Sequence, residues 1–187
     1  LQLQGGAHVD IGSFDVEGSG VTLALWVKAS HFDNGDLRFL SKSFGVPEQD
    51  HIFMLSEREE ELRVRISAGG VTETLIGGVL PVDDWAHIAA TYDSSNGLIR
   101  LFINGEETAL AYHTTGGDIT QDPTRPVWIG ASPDNSNYFT GLLDDVRIYQ
   151  RPLQDLELLE LLTIDNASEW DAGQEVDGAQ DAGGETF

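Results

Sequence analysis

The chain has no cysteine, one methionine, and only 10 Lys and Arg against 32 Asp and Glu. Without cysteine there is no disulfide framework and no thiolate metal site. The absence does not fix the compartment, because a chain of 187 residues that is 40% hydrophobic can bury a core without staples. The scarcity of basic groups leaves a formal net charge of −22. Such a field repels phosphate backbones and anionic membranes, so nucleic acid is excluded as a partner. It favours solubility and attracts cations. No apolar run approaches the ~20 residues of a membrane span, so no membrane insertion is expected. No signal peptide is visible, and a strand-like pattern starts at Leu1. The sequence is therefore expected to be an excerpt or processed form.

What is present is a series of short strand-like runs separated by turn signals. Runs at 1–4 and 7–11 flank Gly5 and Gly6. In the run 21–29, Leu23, Leu25 and Val27 share one face, and Ala24, Trp26 and Lys28 the other. Runs at 37–41 and 51–56 are joined by a longer loop. Runs at 62–68 and 71–76 read as a hairpin across Gly69 and Gly70. A run at 85–92 alternates cleanly, and 98–103 ends in Asn104-Gly105, a strong hairpin signal, before 108–112. Runs at 127–130 and 141–149 close the series. About a dozen short strands with regular turns predict an all-β sandwich or jelly roll.

One helix is predicted near the C-terminus. Pro152 opens it, and Leu153, Leu156, Leu159 and Leu162 form its apolar stripe. After Ile164 the composition shifts to acids with Gly and Ala and no Lys or Arg. Residues 165–187 therefore read as an acidic linker or tail, and residues 1–164 as the folded domain.

Several segments carry a resemblance when taken in order. They include Thr-Leu-Ala-Leu-Trp-Val-Lys at 22–28, Trp-Ala-His-Ile-Ala-Ala-Thr-Tyr-Asp at 85–93, Ile-Arg-Leu-Phe-Ile-Asn-Gly at 99–105, Trp-Ile-Gly at 128–130, and Gly-Leu-Leu-Asp-Asp-Val-Arg-Ile-Tyr at 141–149. The ordered set resembles the laminin-G-like domains of the concanavalin-A-like lectin and glucanase superfamily. The resemblance implies a jelly roll of two antiparallel sheets, used as one module of a longer extracellular or cell-surface chain. It implies glycan binding or adhesion, in some members with calcium. Fold alone does not decide among these jobs.

The related glucanases place Glu-x-Asp-x-x-Glu on one strand, since a retaining mechanism needs two close carboxylates. Here Glu48-Gln49-Asp50 is followed by Met54 and Leu55 where the third acid would fall. The segment is read as a loop-end cluster, with Asp50 paired to Lys42, and no catalytic residue is assigned. His87 reads as a packed strand residue, and Trp85 as core. For a glycan, the expected contacts are Tyr138, Asp134 and Asn137 in the polar loop 132–138, with Asp50. In the final strand Asp144 shares parity with Val146 and Ile148, which places its carboxylate on the core face. A carboxylate there needs hydrogen bonds or a metal. The resemblance implies a structural calcium at Asp144, completed by backbone carbonyls near residue 1, with capping of backbone N–H groups as the other role. The function expected is a non-catalytic extracellular binding module for glycan or another surface ligand. The other reading is a structural or adhesive spacer.

Overall fold

The computed structural model describes residues 1–32, 35–43 and 51–171, with side chains to residue 163. Twelve strands and one helix follow in chain order. They are β1 (Gln2–Leu3), β2 (Val9–Ser13), β3 (Gly20–Lys28), β4 (Asp36–Ser43), β5 (His51–Arg58), β6 (Glu61–Ala68), β7 (Val71–Val79), β8 (Ala86–Asp93), β9 (Leu98–Ile103), β10 (Glu106–Tyr112), β11 (Pro126–Ile129), β12 (Gly141–Tyr149) and α1 (Asp155–Asp171). They build two six-stranded antiparallel sheets. The first runs β1-β12-β3-β8-β9-β10 and the second β2-β11-β4-β5-β6-β7. This is the jelly-roll sandwich the turn spacing predicts.

Both predicted hairpins form. Gly69 and Gly70 have φ of 55° and 79°, and Asn104 and Gly105 have φ of 51° and 81°. Two consecutive positive φ values match the right-handed twist of the flanking strands. Gly105 has a second constraint. A Cβ there would stand 2.7 Å from Leu159 Cδ2, so the turn packs directly on α1.

The core lies between the sheets. Leu23, Leu25 and Val27 of β3 meet Leu62, Val64 and Ile66 of β6, with Phe39, Phe53, Leu55 and Phe139 among them. The predicted parity of β3 holds. That of β8 is the reverse of the expectation for Trp85. Ala86, Ile88, Ala90 and Tyr92 face the core, while half-buried Trp85 precedes the strand and shares parity with His87. His87 is buried, as expected, but on the far side of its sheet, edge-on to Trp26.

That far side is covered at one place by α1. Leu153, Leu158 and Leu161 pack on Ala24, Ala89 and Phe102. The stripe read from the sequence is corrected here, because Leu156 is 74% exposed. The helix begins at Asp155, not Pro152, so Leu153 lies ahead of it and the count from that residue picks the wrong face. The true start is set by Glu157, whose carboxylate accepts the Gln154 N–H at 2.8 Å. That is the reciprocal half of a capping box.

Candidate functional site

Register places a row of side chains across the outer face of the second sheet. Asp10 opposes Trp128, Trp128 opposes Ser41, Ser41 opposes Met54, Met54 opposes Arg65, and Arg65 opposes Thr74. Directly opposed residues share a face, so these six form one band from β2 to β7. A second row beside it reads Arg38, Ser56, Arg63 and Ile76. The pattern follows from β6, where Leu62, Val64 and Ile66 point inward and Arg63 and Arg65 point outward.

Charge concentrates along the second row. Asp36 accepts hydrogen bonds from both Arg38 and Arg63. Arg38 is 4% exposed and Arg63 has no exposed surface. Burial and the neighbouring guanidiniums lower the pKa of Arg38 to about 9 and that of Arg63 to about 10. His51 lies on the same face, and burial with the positive field of Arg38, Arg65 and Arg63 lowers its pKa to about 3. Arg65 is half-buried and donates to Thr74 Oγ1 at 3.1 Å. Several buried polar atoms on this face have no partner, namely Arg38 Nε, Arg63 Nη1, His51 Nδ1 and Trp128 Nε1.

One border of the band is aromatic. His8 stacks on Trp128 with ring centroids 3.8 Å apart, and Tyr138 lies 6.3 Å from His8. The polar loop 132–138 is tied to β4, since the Asn137 carbonyl accepts the Arg38 N–H at 3.0 Å. The Ser136 hydroxyl lies within hydrogen-bond distance of the side-chain oxygens of Asp134 and Asn137, and Tyr138 donates to Asn135. Asp134 is close enough to raise the pKa values of Arg38 and His51 against the larger effect of burial. Of the expected contact residues, Asp134 and Asn137 thus lie beside Arg38, and Tyr138 lies toward His8. Asp50, the fourth, and Glu48 lie outside the described residues.

The pairing of Lys42 with Asp50 lies outside the described residues, within which Lys42 has other partners. Its Nζ bonds the carbonyls of Phe14, Asp122 and Arg125 at 2.5, 2.9 and 3.2 Å, and lies 3.1 Å from the Asp15 carboxylate. Four oxygens surround one fully buried ammonium.

The placement expected for Asp144 is corrected by a bulge. Asp144 opposes Trp26 and Arg147 opposes Ala24, so β12 sets two residues, Asp145 and Val146, against Leu25. Asp145 takes a φ of 47°. The extra residue reverses the parity. Leu143, Val146 and Ile148 face the core, and Asp144 is exposed. Its carboxylate accepts the Asp145 N–H at 3.0 Å, Asp145 is held by Arg147, and the Leu1 carbonyl accepts the Leu143 N–H. Calcium takes six to eight oxygens. Among the described residues no group of three or more His, Cys, Asp and Glu side chains could hold a metal. The exposed position of Asp144 removes the buried carboxylate from which a calcium ion was expected there.

Sequence reasoning missed the arginine rows. The signal was there, in the alternation Leu-Arg-Val-Arg-Ile-Ser at 62–67.

A laminin G family model, described as concanavalin A-like lectin/glucanases superfamily, matches residues 3–158. The chain belongs to that family. Usherin of Homo sapiens is 30% identical over 152 residues, which are 77% of this chain and 3% of usherin. An adhesion G-protein coupled receptor of Danio rerio is 30% identical over 79 residues, 42% of this chain and 1% of the receptor. The chain thus spans a small fraction of these curated relatives. Among solved structures, the CBM40 domain of the Ruminococcus gnavus IT-sialidase, bound to α2,3-sialyllactose, superimposes with a TM-score of 0.71 at 19% identity. That match covers 87% of this chain and 95% of the domain, and at that identity it speaks for the fold alone. Among the described residues no helix is long and apolar enough to cross a membrane.

Proposed function

We propose that this domain is a non-catalytic glycan-binding module of an extracellular or cell-surface protein, and that it binds on the outer face of the second sheet. The observation that carries this reading is the band from Trp128 through Ser41, Met54 and Arg65 to Thr74. A sugar presents apolar C–H faces and a rim of hydroxyls, so an aromatic wall beside fixed polar groups is the chemistry that holds it. The His8–Trp128 stack supplies the wall, and the arginines with the 132–138 loop supply the polar groups. The relationship to lectin-type folds and the likeness to a carbohydrate-binding domain support the same reading.

A specific observation favours the spacer reading as well. Ser41, Met54 and Arg63 have no exposed surface, as in a face sealed for stability. A glycan array followed by calorimetry with the best hit separates the two. The module reading expects a saturable hit that weakens at least tenfold in Trp128→Ala. An array with no hits overturns it in favour of the spacer.

A further inference from the structure

We propose that a sugar ring stacks directly on Trp128, and that His8 is a plug which the sugar displaces. The proposal rests on the module reading and divides the aromatic wall into two parts. Trp128 is the stacking subsite and His8 is its cover.

The first argument is geometry. The ring centroids of His8 and Trp128 are 3.8 Å apart, with 14° between the ring planes. This is a face-to-face stack at van der Waals separation, whereas aromatic pairs prefer offset or edge-on contact. A pyranose lies on an indole in the same manner, with its C–H face flat on the π-surface. The imidazole therefore occupies the place that a stacked sugar ring needs.

The second argument is how the plug is held. The Gln4 carbonyl accepts the Ala7 N–H at 3.1 Å, which closes a tight turn just before His8. Just after it, Val9 pairs with Ile129 and packs on the core. The backbone is fixed on both sides, so the side chain leaves by rotation about χ1 without disturbing the strand. Among the described residues the imidazole makes no hydrogen bond or ion pair, only ring contacts with Trp128 and Tyr138. Ring contact of this kind favours the closed form by a factor of about two to ten. Tyr138 is held apart from His8. Its ring lies beside the turn, 3.8 Å from where a Cβ on Gly6 would stand, and its hydroxyl donates to Asn135. When His8 swings out, Tyr138 remains as the margin of the open subsite.

The third argument is the indole N–H. Trp128 Nε1 can only donate, and it is buried without a partner. An imidazole lying flat over the ring does not accept it. A stacked sugar carries hydroxyls around its rim, and one of these can accept that proton. The closed form leaves this group unmet and the sugar-bound form satisfies it.

The experiment is a glycan array run with the parent chain, His8→Ala and His8→Phe. Calorimetry of all three with the parent's strongest array glycan follows. Removing a plug raises the binding-competent fraction, so His8→Ala is expected to bind about two- to tenfold tighter. His8→Phe restores a ring over Trp128 and is expected to bind no tighter than the parent. A second measurement uses the parent alone and does not depend on a variant folding. The His8 ring protons, shielded by the indole in the free chain, are expected to lose that ring-current shift at saturation with the same glycan. If His8→Ala binds equally or more weakly, or if His8→Phe tightens as much as His8→Ala, the plug is overturned while the module reading stands. Ring protons that stay shielded at saturation overturn it as well. If the parent has no array hit, the module reading itself fails and the plug falls with it.

Discussion

The Lys42 ammonium and the Asp15 carboxylate lie 3.1 Å apart, both nearly closed off from solvent, and the same ammonium bonds three backbone carbonyls. The contact joins β4 to the segment after β2 and to the turn at 122–125. Asp15 in turn accepts the Asp122 N–H at 2.9 Å. Lysine here does what a bound cation does in other proteins, gathering oxygens from distant parts of the chain.

Lys42→Met keeps the apolar stem and removes the charge. It strands a buried carboxylate and three carbonyls, a loss of about 3–5 kcal/mol. For a chain of this size the melting temperature is expected to fall by roughly 10 °C. A differential scanning measurement that finds a drop of only a degree or two would show that water replaces the ammonium without cost.

Two buried histidines set the acid side of the stability curve. Burial, then Arg147, lowers the pKa of His87 to about 4, and burial with three arginines lowers that of His51 to about 3. Their unfolded value is ~6.5. Above that pH both states are neutral and stability does not depend on these groups. As pH falls below it, the unfolded chain takes up protons that the fold refuses, so stability declines from about 6.5 toward 4 for His87 and toward 3 for His51. Each contributes a slope of at most about 1.4 kcal/mol per pH unit. Glu57, raised by burial, works in the opposite sense at lower pH. Urea titrations between pH 7 and 4 are expected to show the decline, and His87→Gln to flatten it. An unchanged slope in that variant would mean that His87 takes up its proton alike in the folded and unfolded chains.

How much of this was legible in the sequence depends on whether a signal was local. The hairpins at Gly69-Gly70 and Asn104-Gly105 were, because their backbone demand is written in the residues. The parity of β3 was, because an uninterrupted strand keeps its period. The position of Asp144 was not. A one-residue bulge reverses every side chain beyond it, and Asp145 gives no cue as strong as a glycine would. The face of α1 was misread for a similar reason. Leucines at 156, 158, 159, 161 and 162 allow more than one stripe, and the start at Asp155 chooses among them. Beside the band, 132–138 was legible as a polar loop and the arginine rows were not. Arg38 and Arg63 come together with Asp36 only through pairing of β4, β5 and β6, which no local pattern specifies.

The bulge also decides what calcium can do at the end of the sandwich. Asp144 presents one exposed carboxylate, so Asp144→Asn is expected to leave any calcium response of the melting temperature as it is in the parent chain. Melts of both proteins in millimolar calcium and in chelator make the comparison. A calcium-induced rise present in the parent and lost in Asp144→Asn would return the ion to that residue.

The central claim is that ligand binds on the outer face of the second sheet. The most direct measurement is a ¹⁵N NMR titration of the full chain with the best hit of the glycan array, following side-chain Nε–H and indole signals along with backbone amides. The account predicts shifts at Trp128 Nε1–H, Arg38 Nε–H and the amides of loop 132–138 at one common affinity, with the β8 and β9 amides of the other sheet unmoved. Shifts confined to that other sheet, or none at saturating sugar, would contradict it.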